Sequence, residues 1–217
     1  MSSFFYDETI GSLETIRFLN RCMKLTNDLK NRTHFTLQEL QNILIVHYKL
    51  TKHGGPINYR RFREIAHRLF DITGDEHYDK IYYRFDQHRG MQVSLESWAT
   101  CLSVLLRGTM EEKIDYCWKV YDQYNLGYLT RELMFQYMRK SIIKASAGED
   151  SDEVVKDLVD VILKKMDIDR DGKLSYEDYK TSVSKNPMLL EALGQVLPPR
   201  TFVLSFLTTL TSKYGQL

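Results

Sequence analysis

Apolar residues recur every three or four positions along most of the chain, the spacing of one face of an α-helix, and no long alternating run suggests a buried sheet. Residues 12–30 read as a first helix with Leu13, Ile16, Phe18, Leu19, Met23, Leu25 and Leu29 on its apolar side. Thr36 and Glu39 have the spacing of a capping box, which opens a helix from Leu37 to about Leu50. His53-Gly54-Gly55-Pro56 breaks it, and Asn58 caps a basic helix running to about Phe70. Further helices are predicted from Asp75 to Phe85, and from a cap at Ser94 through Trp98 to Leu106, where Arg107-Gly108 ends the run. Thr109 and Glu112 make a second capping box for a helix to Tyr121. The pattern then gives helices over 131–144, 153–166 and 176–184, and a short one from Pro187 to Leu193. After Pro198-Pro199, the residues Phe202, Val203, Phe206, Leu207 and Leu210 form an amphipathic tail that either folds back over the second half of the protein or docks on a partner. Self-packing is the favoured outcome, since such a stripe left bare is a liability.

The breaks between these helices repeat. Turn-like segments begin at positions 50, 86, 122 and 167, in two steps of 36 residues and one of 45. An aliphatic residue stands eighth in each (Ile57, Val93, Leu129, Leu174) and a large residue thirteenth (Phe62, Trp98, Met134, Tyr179). Four copies of one helix-turn-helix unit account for this spacing. The nine extra residues of the last step fall in Ala145 to Glu153, a small, polar, acidic stretch that reads as an exposed linker.

The fourth turn carries the chemistry. Asp167, Asp169 and Asp171 alternate, Gly172 permits a sharp bend, Lys173 offers a backbone carbonyl, Ser175 can hold a ligand water, and Asp178 closes a twelve-residue loop. Three carboxylates so close repel one another unless a cation neutralises them. This is the pattern of an EF-hand calcium loop. Its one departure is Asp178, a methylene shorter than the usual closing Glu, which favours single-oxygen coordination, modest calcium affinity and competition from magnesium. The earlier loops keep the shape and lack the ligands. Tyr124, Leu126 and Leu133 replace ligands in the loop at Asp122; Met91 and Ser97 replace the glycine and closing acid in the loop at Asp86; the loop at Leu50 keeps Gly55 and Ile57 with no carboxylate.

The predicted architecture is all-α: two paired EF-hand lobes, four units of which three are degenerate, with extra helices at both ends. Residues 1–35 form an N-terminal extension, 36–108 the first pair, 109–186 the second pair with one metal-competent loop, and 187–217 a helical tail. Charge agrees with a single working site, since 30 Lys and Arg balance 29 Asp and Glu for a net +1, where four charged loops would make the chain strongly acidic. Near-neutrality also argues against nucleic acid as a partner. No run of about eighteen apolar residues occurs, so no membrane span is expected. The start, Met1 to Tyr6, has the marks of neither a secretion signal nor myristoylation. Cys22, Cys101 and Cys117 have no metal spacing and suit a reducing compartment. The six histidines (34, 47, 53, 67, 77, 88) are scattered and no catalytic motif is present, so no enzyme is expected; Glu64 and His67 share a helix face as an ordinary surface pair. Arg60, Arg61, Arg63 and Arg68 make the helix after Asn58 basic, a face suited to acidic tubulin tails or an acidic coiled coil, although a solvated face is the commoner use.

Leu106 to Lys113 (Leu-Arg-Gly-Thr-Met-Glu-Glu-Lys), the loop at Asp167 with its Asp178, and Met188 to Pro198 resemble the calaxin family, calcium-binding proteins of ciliary outer dynein arms. The resemblance spans Thr36 to Pro198, is closest after Arg107, and extends more loosely to neuronal calcium sensors and calcineurin B. It implies attachment to outer-arm dynein or its docking complex, calcium-dependent control of beating, and a place in the cytoplasm and the axoneme of a cilium or flagellum. Family members carry acidic ligands in the second and third loops, which this chain has lost. Two functions follow: a calcium-responsive regulator whose helices open a groove lined by Met134, Met138, Met166 and Tyr179, or a calcium-independent structural adaptor in which the last loop staples two helices. A regulatory subunit of the neuronal-sensor or calcineurin B kind is a third.

Overall fold

The structure, a computed structural model, describes residues 11–51, 57–70, 75–85, 92–143 and 151–210, without the side chains of residues 12, 66–70, 75–78, 80, 140–143 and 151. The chain start, the break at His53 to Pro56, Asp86 and Met91 of the second loop, and residues 145–150 of the acidic linker lie outside the described residues. The helices are α1 (Ser12–Arg32), α2 (Leu37–Leu50), α3 (Tyr59–Phe70), α4 (Asp75–Phe85), α5 (Leu95–Arg107), α6 (Met110–Tyr121), α7 (Arg131–Ile143), α8 (Ser151–Met166), α9 (Tyr176–Lys185) and α10 (Arg200–Thr209). Four two-residue strands interrupt them: β1 (Ile57–Asn58), β2 (Gln92–Val93), β3 (Tyr128–Leu129) and β4 (Leu174–Ser175).

The strands are where the repeat becomes structure. Ile57 pairs antiparallel with Val93, and Leu129 with Leu174, so the four eighth-place residues meet two by two. All four are fully buried, as are the thirteenth-place residues Phe62, Trp98, Met134 and Tyr179. Each two-stranded ladder therefore ties two helix-loop-helix units into a lobe, and the all-α, paired EF-hand fold is the one observed.

Two compact units result. The first holds α1, α2, nearly all of α3, α5 and α10; the second holds most of α4 and α6 through α9. In the first, Phe85 lies 4.9 Å from Phe62 and 5.8 Å from Trp98, ring centroid to centroid, and forms the aromatic centre. Both sequence-predicted capping boxes are present, Thr36 with Glu39 and Thr109 with Glu112, and Ser94 caps α5. Glu39 does more than cap. Arg107 at the end of α5 grips both of its oxygens, at 2.5 and 2.9 Å, and donates to the His34 carbonyl as well. Burial acts to raise the Glu39 pKa, but the bonds from Arg107 and Thr36 outweigh it and hold the carboxyl below its ordinary value. The basic face of α3 is partly neutralised: Arg61 bonds Glu64 at 2.9 Å and the Leu50 carbonyl at 3.1 Å.

Three details differ from the sequence reading. The helix expected from Pro187 to Leu193 is a single 3₁₀ turn, Pro187–Leu189. Beyond it Tyr179 and Tyr121 donate to the carbonyls of Leu190 and Gly194, both at 2.7 Å, and Glu191 accepts from the Val196 and Leu197 amides. These bonds draw the backbone inward as a plug, burying Leu193 and Val196, where a regular helix would have claimed the same carbonyls. The tail helix α10 packs on α5 in the first unit, not over the second: Phe206 and Leu210 are buried, and Asn42 Nδ2 donates to the Leu210 carbonyl at 3.0 Å. The helix α1 is apolar on two sides. Phe18, Cys22 and Leu29 are buried, whereas Leu13, Ile16 and Met23 face solvent.

All three cysteines are free and buried; burial pushes the Cys22 thiol up and raises that of Cys117 far above its ordinary value.

The third loop follows the backbone course of the fourth. Asn125 and Gly127 take positive φ of 52° and 79°, matching 58° and 82° at Arg170 and Gly172 in the fourth. Asp122 holds this bend alone: Oδ1 accepts from the Leu126 amide and Oδ2 from the Gly127 amide, each at 2.8 Å, with the residue buried. Replacing Asp122 with Ala removes both part-buried, charge-assisted bonds, and urea unfolding is expected to register a loss of about 2 kcal/mol.

His47 is fully buried beside Trp98, ring centroids 6.0 Å apart, and neither ring nitrogen has a well-formed hydrogen bond. Burial pulls its pKa from 6.5 to about 4, with the Val93 backbone opposing weakly. Between those values the unfolded chain takes up a proton that the folded one refuses. Its contribution is therefore whole above pH 6.5 and drains away as pH falls toward 4, by about 3 kcal/mol in total. In urea melts over that range the stability of the wild type relative to His47→Leu is expected to fall by about 3 kcal/mol from pH 6.5 to pH 4, because the variant lacks this slope.

Candidate metal centre

Asp167 follows directly on α8, its amide bonded to the Leu163 carbonyl at 2.8 Å. The loop then turns through the left-handed conformations of Arg170 and Gly172, of which only the second suits its residue without strain. Short bonds stiffen it. The Asp171 amide donates to Asp169 Oδ1 at 3.3 Å, the Lys173 amide to Asp171 Oδ1 at 2.7 Å, and the Gly172 amide to Asp167 Oδ2 at 3.0 Å.

One carboxylate oxygen from each of Asp167, Asp169 and Asp171 lies within 4.8 Å of the other two. Two oxygens that share one calcium at about 2.4 Å can be no more than about 4.8 Å apart, so these three fit a single ion. Asp167 Oδ1 is buried and has no hydrogen-bond partner. That is the difference from the third loop, where Asp122 gives both oxygens to backbone amides. A buried carboxylate oxygen without a donor costs energy that a cation would recover.

Around this cluster the field is negative. At Asp169 the bond from the Asp171 amide acts to lower the pKa, but partial desolvation, the charge of Asp171, the close approach of the Asp167 carboxyl and the charge of Asp178 outweigh it, and the net direction is up. Crowded acids that resist ionising together are what a divalent ion relieves.

Asp178, placed last in the ligand set by its spacing, lies outside the three-carboxylate group. Its Oδ1 accepts from the Ile168 amide at 3.2 Å; its Oδ2 accepts from the Ser175 amide at 3.2 Å and hydroxyl at 2.5 Å. It thus closes the capping box of α9, with Ser175 as N-cap. The Ser-x-x-Asp spacing carried that second role in the sequence, where Ser175 was read as a water-holding position. Lys173 keeps its main chain at the bend while its ammonium rests over the Tyr128 ring, 4.3 Å from the centroid, away from the aspartates. No sequence signal marked Tyr128.

Below the loop, Met134, Met138, Met166 and Tyr179 are all buried. Trp118 stands 5.5 Å from Tyr179 and 5.6 Å from Tyr176, while Tyr176 also bonds Asp115. The proposed groove residues are thus core in this structure, beside the plug that Tyr121 and Tyr179 hold.

The EF-hand domain pair family matches residues 111–184, the part of the chain with both paired loops of the second unit. Among curated proteins, calaxin of Xenopus laevis is 41% identical over 80% of this chain and 86% of its own length. Human calaxin is 39% identical over 82% and 88%, and a recoverin family protein of Dictyostelium discoideum is 29% identical over 79% and 87%. Loop, ladder and relatives agree: this is a calcium-binding EF-hand protein, and the chain belongs to the calaxin family.

Proposed function

We propose that the protein is a calcium-responsive regulator of ciliary or flagellar outer dynein arms, binding one ion at Asp167, Asp169 and Asp171 and acting by docking rather than by catalysis. The observation that carries the calcium part is the buried, unpartnered Oδ1 of Asp167 beside two carboxylates within reach of the same centre. The Lys173 carbonyl and a reoriented Asp178 complete the shell. To reach the ion, Asp178 gives up the Ile168 and Ser175 amides, so binding loosens the start of α9. Tyr179 lies one residue on and holds the plug through Leu190. Loss of that bond would free the plug and uncover Met134, Met138 and Met166 for a target. Magnesium, which demands tighter octahedral geometry, competes at a site so short of protein ligands.

The setting is supported by the calaxin resemblance: the cytoplasm and axoneme, with outer-arm dynein or its docking complex as partner and tubulin as a further candidate for the basic face of α3. A second reading, a calcium-independent adaptor of the docking machinery, draws on the third loop, whose bend Asp122 holds by accepting from two backbone amides.

Titration calorimetry with calcium is expected to give one site per chain, abolished by Asp167→Asn or Asp171→Asn and tightened about tenfold by Asp178→Glu, whose longer arm supplies a second oxygen. Retained binding in the Asn variants would sink the assignment. Near-ultraviolet circular dichroism should change on calcium addition through Trp118; an unchanged spectrum with a full binding heat selects the adaptor reading. Immunoprecipitation from ciliated cells, with calcium and with chelator, followed by identification of the bound chains, tests the dynein setting.

A further inference from the structure

The outward side of α1 has a second periodicity that its packing does not use. Leu13, Ile16, Asn20, Met23 and Asn27 follow one another at steps of three, four, three and four, the a and d spacing of a coiled-coil heptad. The inward side is separate: Phe18, Cys22 and Leu29 sit at the opposite f and c positions and are buried. On the seam Leu13 is 70% exposed, Ile16 54% and Met23 57%, three large apolar residues in one line on a helix already packed on α2 and α5. Unpartnered apolar surface of this regularity marks an interaction face.

Charge selects the occupant. Both e positions of the seam are basic, Arg17 and Lys24, and neither makes an ion pair among the described residues. The acids of the helix are committed elsewhere: Glu14 accepts from the Tyr48 hydroxyl at 2.6 Å, and Asp28 bonds Arg32, which also reaches Glu96. A second copy of the chain does not suit the seam. Antiparallel pairing would set Arg17 against Lys24, and parallel pairing would oppose them with Leu19 and Thr26, the g positions, where no acid stands. A lipid surface suits it poorly too, because Asn20 and Asn27 lie in the apolar line. Their amides cost energy among acyl chains but bond readily across a helix pair, where a single polar a position also fixes register.

We infer that α1 is a docking helix for a coiled-coil partner whose a and d seam is apolar and whose flanking e or g positions are acidic. The seam completes a coiled coil and the acids meet Arg17 and Lys24. This face is independent of the calcium loop, and failure of either leaves the other standing.

The probe is a fluorescent synthetic peptide of about three heptads, the length of α1, with Ile at a, one central Asn, Leu at d, and Glu at e and g. A sister peptide with Lys at e and g, and vesicles of phosphatidylcholine with phosphatidylserine, are the competing surfaces. Anisotropy with the full chain is expected to give saturable binding of the Glu peptide that weakens as salt rises, no binding of the Lys peptide, and no sedimentation with vesicles. The double variant Arg17→Glu/Lys24→Glu should bind the Glu peptide about tenfold more weakly and acquire affinity for the Lys peptide. Ile16→Glu should bind neither, and Met23→Glu serves in its place if its melting temperature falls. The proposal is overturned if the Glu peptide does not bind, if charge reversal leaves its binding unchanged, if vesicles take the chain in preference, or if sedimentation shows a dimer that Ile16→Glu dissolves.

Discussion

Two short ladders of backbone hydrogen bonds, one joining Ile57 to Val93 and the other Leu129 to Leu174, set the geometry of everything else. A helix-loop-helix unit by itself leaves its apolar face and half of its loop backbone unsatisfied. Pairing two loops antiparallel answers both needs, because the strand residues bond each other while their side chains drop into the space between the helices. Each fully buried aliphatic side chain at a ladder contributes about 1.5–3 kcal/mol. The ladder positions have stayed aliphatic in loops where the ligand positions have not stayed acidic.

The third loop shows this separation between shape and ligation. In the third, Asp122 holds the bend by accepting from two amides, so the turn rests on the protein's own dipoles. In the fourth, the equivalent Asp167 takes one amide and leaves an oxygen over. The contrast comes down to one hydrogen bond. Whether a loop of this kind is a joint or a receptor depends on whether its first aspartate is saturated by backbone.

Much of this was legible in the chain. The 36-residue steps marked the repeat, the eighth-place residues marked the ladder partners, and Thr36, Ser94 and Thr109 marked helix starts because their side chains bond amides three residues on. What was hidden shares a cause: it depends on a partner distant in sequence. An amphipathic tail does not say which groove receives it, and α10 went to α5. A run of apolar residues after Pro187 does not reveal that Tyr121 and Tyr179 claim its carbonyls. The seven apolar residues read as one face of α1 divide between two, since a list of apolar positions does not separate a buried set from an outward seam. Asp178 has two possible occupations, ligand and helix cap, and spacing alone favours both.

The cysteines carry a consequence of their own. Cys22 and Cys101 lie in one unit and Cys117 in the other; Cys117 is sealed from solvent, the other two are nearly so, and for Cys22 and Cys117 the thiolate is made scarce by its surroundings. An electrophile meets the Cys117 sulfur only while the surrounding helices part. Its alkylation therefore runs at the pace of that parting, and the Cys117 thiol acts as a clock that times the breathing of its own half.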